Sequence, residues 1–124
     1  MTLSKNEAHY IVKNYILLIN DFLEKKSNNF QNYAEFNIIQ IMYLIGKFNF
    51  IEELNIIIQN TYIKKYFEYL NIFYYTMISC IHHNNYNMMD ILKETIFMDI
   101  DEYTIIYKNL IKKHNKELIE LNEL

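Results

Sequence analysis

Apolar residues recur along most of this chain at spacings of three and four, the pattern of helices that bury one face. The first such segment opens with Ser4-Lys5-Asn6-Glu7, in which serine and glutamate are placed to cap a helix start reciprocally. We therefore expect an N-terminal helix within residues 1–30. Its predicted apolar stripe consists of Ile11, Tyr15, Leu18, Ile19, Phe22 and Leu23.

The second segment, residues 32–45, is apolar nearly all round, which is typical of a central helix. Gly46, the only glycine of the chain, follows it and predicts a left-handed cap that ends this helix. Asn49 and Asn71 are predicted to cap the starts of the helices that follow them.

Further segments of helical period follow, separated by polar breaks of which residues 83–85 are the clearest. Isoleucine and tyrosine favour strands locally, but the period and the caps favour helices. The chain has no proline, so little interrupts those helices. The sequence predicts one all-α domain over residues 1–124: a compact bundle or short stack of six to seven helices, with helical hairpins over 32–121.

Three stretches, starting at Phe36, Ile72 and Ile105, share the order apolar helix, polar turn, second helix, at a spacing typical of helical repeats. In the second stretch, the run from Cys80 to Asn85, leading into Met88 and its helix, resembles the middle of a degenerate ankyrin repeat. The resemblance implies a protein-binding surface and no catalysis. The family's Thr-Pro-Leu-His helix start and its turn glycines are absent, so a plain irregular helical bundle is the alternative.

Composition narrows the class of partner. About half of the residues are Ile, Asn, Lys or Tyr, which have A/T-rich codons, so the skew indicates an A/T-rich bacterium, phage, virus or parasite. The net charge is −3 and there is no arginine, which makes nucleic-acid binding an unfavoured function. No signal-peptide pattern or membrane span is predicted, and the single cysteine fits a reducing compartment, so we expect a cytoplasmic protein.

Cys80, His82 and His83 form the one cluster that could carry chemistry. Cys80 and His82 lie two residues apart, so on a helix they point to opposite sides and cannot easily share a metal ion. We therefore interpret Cys80 as a small buried apolar residue and the histidines as residues of a helix end. No catalytic residue, cofactor or metal is predicted; a metal or thiol enzyme at Cys80 and His82 is the alternative.

The densest aromatic run lies between residues 62 and 75. Tyrosine suits protein interfaces because its ring is apolar and its hydroxyl is polar, although A/T-rich codons alone could supply as many tyrosines. The candidate partner-binding residues are Tyr62, Lys64, Lys65, Tyr66, Tyr69, Tyr74 and Tyr75.

The function that the sequence favours is a non-catalytic protein–protein interaction module. By analogy with small binders of phages, viruses and bacteria, we expect an inhibitor of a defence enzyme or the immunity partner of a toxin. A homodimer is also expected, because the chain has many large apolar residues. The alternative is a ribonucleoprotein subunit that contacts RNA through lysines, namely Lys64, Lys65, Lys108, Lys112, Lys113 and Lys116.

Overall fold

Two helices that are separated in sequence form the centre of the molecule, and the others pack around them. The computed structural model describes residues 2–24, 30–97, 104–105, 108–109, 112, 119–121 and 123–124. Every regular element in these ranges is helical, which confirms the predicted all-α class and the compact bundle. The six helices with described bounds are α1 (Lys5–Glu24), α2 (Phe30–Phe48), α3 (Ile51–Gln59), α4 (Thr61–Tyr69), α5 (Phe73–His83) and α6 (Tyr86–Thr95).

The most extensive contact between helices joins α2 to α5, and α1 lies across α2, α3 and α4. Residues 41–46 of α2 are all buried, as are all eight residues from Phe73 to Cys80 of α5. The central position predicted for α2 is confirmed. Helix α5, which packs against α2, is likewise apolar on all sides, as expected for a second central helix.

Gly46 does not end α2, so the left-handed cap predicted for it is wrong. It lies inside the helix with a negative φ, at the point where α2 approaches α5. A β-carbon added to Gly46 would lie 2.5 Å from the backbone carbonyl oxygen of Thr76 and 2.8 Å from the β-carbon of Ser79. The glycine is therefore required by the close approach of two helices, because no larger side chain fits between them.

Polar side chains of α5 and of the turn after it bind the backbone of α2. Thr76 and Ser79, both fully buried, donate their hydroxyl protons to the carbonyl oxygens of Met42, at 2.9 Å, and Tyr43, at 2.5 Å. The side-chain amide of Asn85 donates to the carbonyl oxygens of Gly46, at 2.6 Å, and Lys47, at 3.1 Å. The carbonyls at a helix end lack intrahelical partners, so Asn85 satisfies two groups that would otherwise face the α2–α5 contact unpaired.

Asparagines, rather than the glycine, provide the left-handed residues that end three helices. Asn49, Asn71 and Asn84 have φ values of 58°, 56° and 58° and follow α2, α4 and α5. After each one the next backbone N–H reaches back five residues, from Phe50 to Ile45, Ile72 to Phe67 and Asn85 to Cys80, which is the Schellman hydrogen bond. The N-cap roles predicted for Asn49 and Asn71 are therefore wrong. Asparagine tolerates positive φ better than other side-chain-bearing residues, which explains the substitution for glycine.

Replacing Asn49 by valine is expected to lower the free energy of unfolding by about 1–2 kcal/mol, because a β-branched residue is strained at positive φ. Asn49→Gly should leave it within about 0.5 kcal/mol of the original, since glycine has no β-carbon to strain. Asn87→Val, in the exposed first turn of α6 and without positive φ, is the matched control. Urea denaturation measures all three; equal effects of Asn49→Val and Asn87→Val would contradict the assignment.

The start of α1 follows its sequence signature. Ser4 and Glu7 form the predicted reciprocal cap, with both backbone-to-side-chain hydrogen bonds at 3.1 Å, and these bonds lower the pKa of the Glu7 carboxyl. The buried face is rotated from the predicted stripe: Ala8, Val12 and Ile16 are buried, whereas Ile11 and Leu18 are exposed. Of the other predicted stripe residues, Tyr15 is half-buried, and the side chains of Ile19, Phe22 and Leu23 lie outside the described part of the chain.

The helical hairpins α2–α3 and α5–α6 share one turn at a separation of 35 residues. In each hairpin a left-handed asparagine, Asn49 or Asn84, is followed by one linking residue and then by the second helix. Helix α4 lies in sequence between the two hairpins. The resemblance to ankyrin repeats stays a prediction.

Candidate functional site: the exposed face of helix α4

Helix α4 is a short, firmly seated element. Asn60 caps its start, accepting hydrogen bonds from the backbone N–H groups of Tyr62 and Ile63 at 3.1 Å each. Ile63 and Phe67, four residues apart, are buried and fix the helix on the core. Helix α4 is therefore a separate, capped helix and not a continuation of α3, which ends at Gln59.

The side of α4 that points away from the core carries two of the most exposed aromatic residues in the described chain. Tyr62 and Tyr69 are 80 % and 82 % exposed and lie seven residues apart, so they project from one side of the helix. Lys65 is exposed between them, and Tyr66 beside it is half-buried against the core. We call these four residues, Tyr62, Lys65, Tyr66 and Tyr69, the α4 tyrosine face.

Lys64 lies off this face, about 160° round the helix from Tyr62, and its charge is compensated. Its Nζ atom is 2.9 Å from Oε1 of Glu68, one turn further along the helix. Lys65 has no salt bridge to any residue that the structure describes. The positive charge available on α4 is therefore that of Lys65.

The structure separates the remaining two predicted residues from the face. Tyr74 and Tyr75 lie on α5 and are 7 % and 4 % exposed. The ring of Tyr74 packs on Phe97, with centroids 4.7 Å apart, and Tyr75 packs in a second cluster with Tyr43. Both therefore belong to the core, and the candidate surface consists of residues of α4 alone.

Cys80, the thiol of the alternative enzyme site, occupies a position in the core. Cys80 is fully buried, and burial raises the pKa of its thiol from 9.0 to about 12, so the nucleophilic thiolate is strongly disfavoured. His82 is exposed on the other side of α5, and partial burial of its ring and the neighbouring His83 lower its pKa. No group of three metal-ligating side chains is found among the described residues.

Alkaline pH is expected to destabilise the fold through Cys80 and Tyr43. Burial raises the pKa of the Tyr43 hydroxyl from 10.0 to about 12, as it does for the Cys80 thiol. Between the unfolded and the folded pKa values the unfolded chain binds fewer protons, so the free energy of unfolding falls as pH rises from about 9 to 12. Cys80→Ala and Tyr43→Phe should each flatten this slope in urea denaturation across that range; an unchanged slope in both variants would contradict the assignment.

One polar pair, His9 and Glu53, was not predicted from the sequence. Nε2 of His9 on α1 lies within hydrogen-bond distance of Oε1 of Glu53 on α3, and the His9 ring packs on Phe50 with centroids 5.0 Å apart. Glu53 is only 6 % exposed, whereas its neighbour Glu52 is exposed. The burial of Glu53 could have been predicted from helical spacing, because Glu53, Leu54 and Ile57 share one side of α3.

Three further surfaces lie elsewhere in the described part of the chain. A cavity of about 260 Å³ beside α1 and α2 is lined mainly by apolar side chains, and its described lining residues include no cluster of titratable groups. The outer side of α1 exposes four apolar residues, Tyr10, Ile11, Leu17 and Leu18. Lys108 and Lys112 of the predicted RNA-binding set are exposed, whereas Lys113 and Lys116 lie outside the described residues.

Comparison with models of protein families, with curated proteins and with solved structures gives no match to this chain. Among the described helices, none combines the length and the apolar character that crossing a membrane requires.

Proposed function

We propose that this chain is a non-catalytic protein–protein interaction module that docks through the α4 tyrosine face. The observation that carries the proposal is the pair Tyr62 and Tyr69, both about four-fifths exposed on one side of a helix whose opposite side is buried. Two large rings that are held in water by a rigid helix gain most when a partner covers them.

The geometry of α4 suits recognition with little reorganisation. Its cap at Asn60 and its anchors Ile63 and Phe67 hold the backbone in place, so binding orders only a few side chains. Tyrosine has only two main side-chain torsions and is enriched among the residues that dominate binding energies. Tyr66, half-buried at the edge of the core, extends the apolar surface from the face into the body of the protein.

The test is affinity purification from cells of the source organism with three forms of the full chain. These are the original chain, Tyr62→Ala/Tyr69→Ala, and the matched control Tyr10→Ala/Tyr86→Ala, which removes two exposed tyrosines from α1 and α6. We expect a protein that the original chain and the control retain and the α4 variant loses. With that protein purified, each α4 substitution should weaken binding by about 2 kcal/mol, roughly thirtyfold.

Loss of the protein from both double variants, or from neither, would reject the α4 tyrosine face as the docking surface. Retention of RNA instead, with steep loss of binding as salt rises, would favour the ribonucleoprotein alternative. The exposed Lys108 and Lys112 make that alternative testable by Lys108→Gln/Lys112→Gln.

The narrower function, inhibition of a defence enzyme or neutralisation of a toxin, is part of the same proposal. If the retained protein is an enzyme, its activity should fall in proportion to added chain and stop falling at a fixed molar ratio. The Tyr62→Ala/Tyr69→Ala variant should inhibit only at much higher concentration. Full enzyme activity in a saturated complex would reject inhibition while keeping the interaction.

The predicted homodimer is a separate assembly from this complex. Sedimentation equilibrium of the purified chain at high concentration decides it. A mass equal to one chain throughout the concentration range would reject the homodimer.

A further inference from the structure

We propose that the α4 tyrosine face selects an acidic segment of a partner protein, with Lys65 as the selecting charge. This inference rests on the proposed function, since it names the chemistry of the partner that the face binds.

The position of Lys65 on the helix supports the assignment. It follows Tyr62 by three residues and precedes Tyr69 by four, so along the helix Lys65 lies between two residues with exposed rings. A partner that covers both rings also covers Lys65 and removes water from it. A charge that is stripped of water without an opposite charge destabilises a complex, so the partner must place a carboxylate there.

The charges around Lys65 separate a protein partner from a polyanion. Lys64 is compensated by Glu68, and the Glu68 carboxylate is itself partly exposed on the same helix, where it repels a phosphate backbone. The net charge of −3 repels a row of phosphates more strongly than a segment with one or two carboxylates, because the repulsion grows with the number of charges on the partner. One uncompensated ammonium between two rings fits a single carboxylate among apolar side chains better than it fits a row of phosphates.

The same charge argues against a second copy of this chain on the face. In a twofold dimer whose axis passes through the centre of this face, Lys65 would approach Lys65 of the other copy. Like charges that are buried together weaken an interface. An acidic segment of a different protein is therefore the occupant that the face fits.

The test uses a surface-displayed library of short random peptides as the probe. Cells that bind the fluorescent full-length chain are collected, and those that also bind Tyr62→Ala/Tyr69→Ala are discarded. We expect the remaining peptides to be enriched in Asp and Glu beside apolar residues. They should bind Lys65→Glu at least about tenfold more weakly than the original chain. Lys93→Glu, an exposed lysine of α6, is the matched control and should leave binding unchanged.

Each other outcome overturns part of the argument in a recognisable way. Face-dependent peptides that are neutral or basic, or that ignore Lys65→Glu, would overturn the acidic partner while leaving the docking surface intact. An absence of face-dependent peptides would overturn the acidic-segment proposal, and the cell-based purification would then decide on the proposed function by itself. Binding of a fluorescent oligouridylate that is lost in Lys65→Glu would assign the face to nucleic acid instead.

Discussion

Gly46→Ala is expected to lower the free energy of unfolding by about 3 kcal/mol, the upper end of the usual range for overpacking. The added β-carbon would lie 2.5 Å from the carbonyl oxygen of Thr76, which belongs to the backbone and cannot rotate away. In an unobstructed helix the same exchange stabilises by up to about 1 kcal/mol, so the expected sign is opposite to that of helix propensity. Urea denaturation monitored by circular dichroism measures the difference.

A second substitution tests whether the close approach of α2 and α5 is the cause. Ser79→Gly removes the β-carbon and hydroxyl that would lie 2.8 and 2.9 Å from the new methyl group. Ser79→Gly has a cost of its own, since it also removes the buried hydrogen bond to Tyr43 and places a glycine within α5. That cost should be smaller in the Gly46→Ala background, because there the substitution also relieves a clash. Lys93→Ala, exposed on α6, is the control for substitution within a helix. A Gly46→Ala variant as stable as the original chain would show that the helices are further apart than the structure places them.

His9→Ala is expected to lower the free energy of unfolding by about 1–3 kcal/mol, because it leaves the buried Glu53 carboxylate without its hydrogen-bond donor. Glu53→Met breaks the same contact but should cost less than about 1 kcal/mol. His9 is part-exposed and can turn to water, and methionine suits a buried site. The asymmetry follows from which partner is buried, and thermal or urea denaturation of the two variants measures it.

The second helical hairpin suggests the choice of methionine. Met88 follows Glu53 by 35 residues, which is also the separation of Asn49 and Asn84. Met88 therefore occupies in α6 the place that Glu53 occupies in α3, and it is fully buried. His9→Phe controls for the ring contact with Phe50, since it keeps an aromatic ring and removes the nitrogen. It should destabilise the original chain and be tolerated in the Glu53→Met background. Equal costs of His9→Phe in both backgrounds would contradict an energetic coupling between residues 9 and 53.

The sequence predicted the helical class, the start of α1 and the central position of α2, because these depend on period and on local capping. Gly46 was misplaced because glycine serves two purposes, a positive φ and a close approach of backbones, and only the second needs the position of α5. The residue with positive φ that follows α2 is Asn49. The sequence pattern allowed Asn49 equally well as an N-cap of α3.

Of the residues predicted for the candidate surface, those on α4 lie together and those on α5 are buried. The aromatic run crosses from α4 to α5 through the left-handed residue Asn71, so its two halves have different helical phases. Tyr74 and Tyr75 lie in a helix that is apolar on all sides, and that signal was sufficient to predict their burial. The pairing of Lys64 with Glu68, four residues apart, and the exposure of Lys65, opposite the buried Ile63 and Phe67, both follow from helical spacing once α4 is placed as a separate helix.

The side-chain hydrogen bonds from Thr76, Ser79 and Asn85 to the backbone of α2 make the two central helices one unit. Each bond spans 34 to 39 residues of sequence, so none can form until both helices are in place. Neither helix can open alone without exposing buried hydroxyl and carbonyl groups. Backbone amide protons of residues 41–46 in α2 and 77–80 in α5 should therefore exchange with deuterium only when the whole molecule unfolds. Those of α4, which is held by two buried side chains, should exchange through smaller local openings.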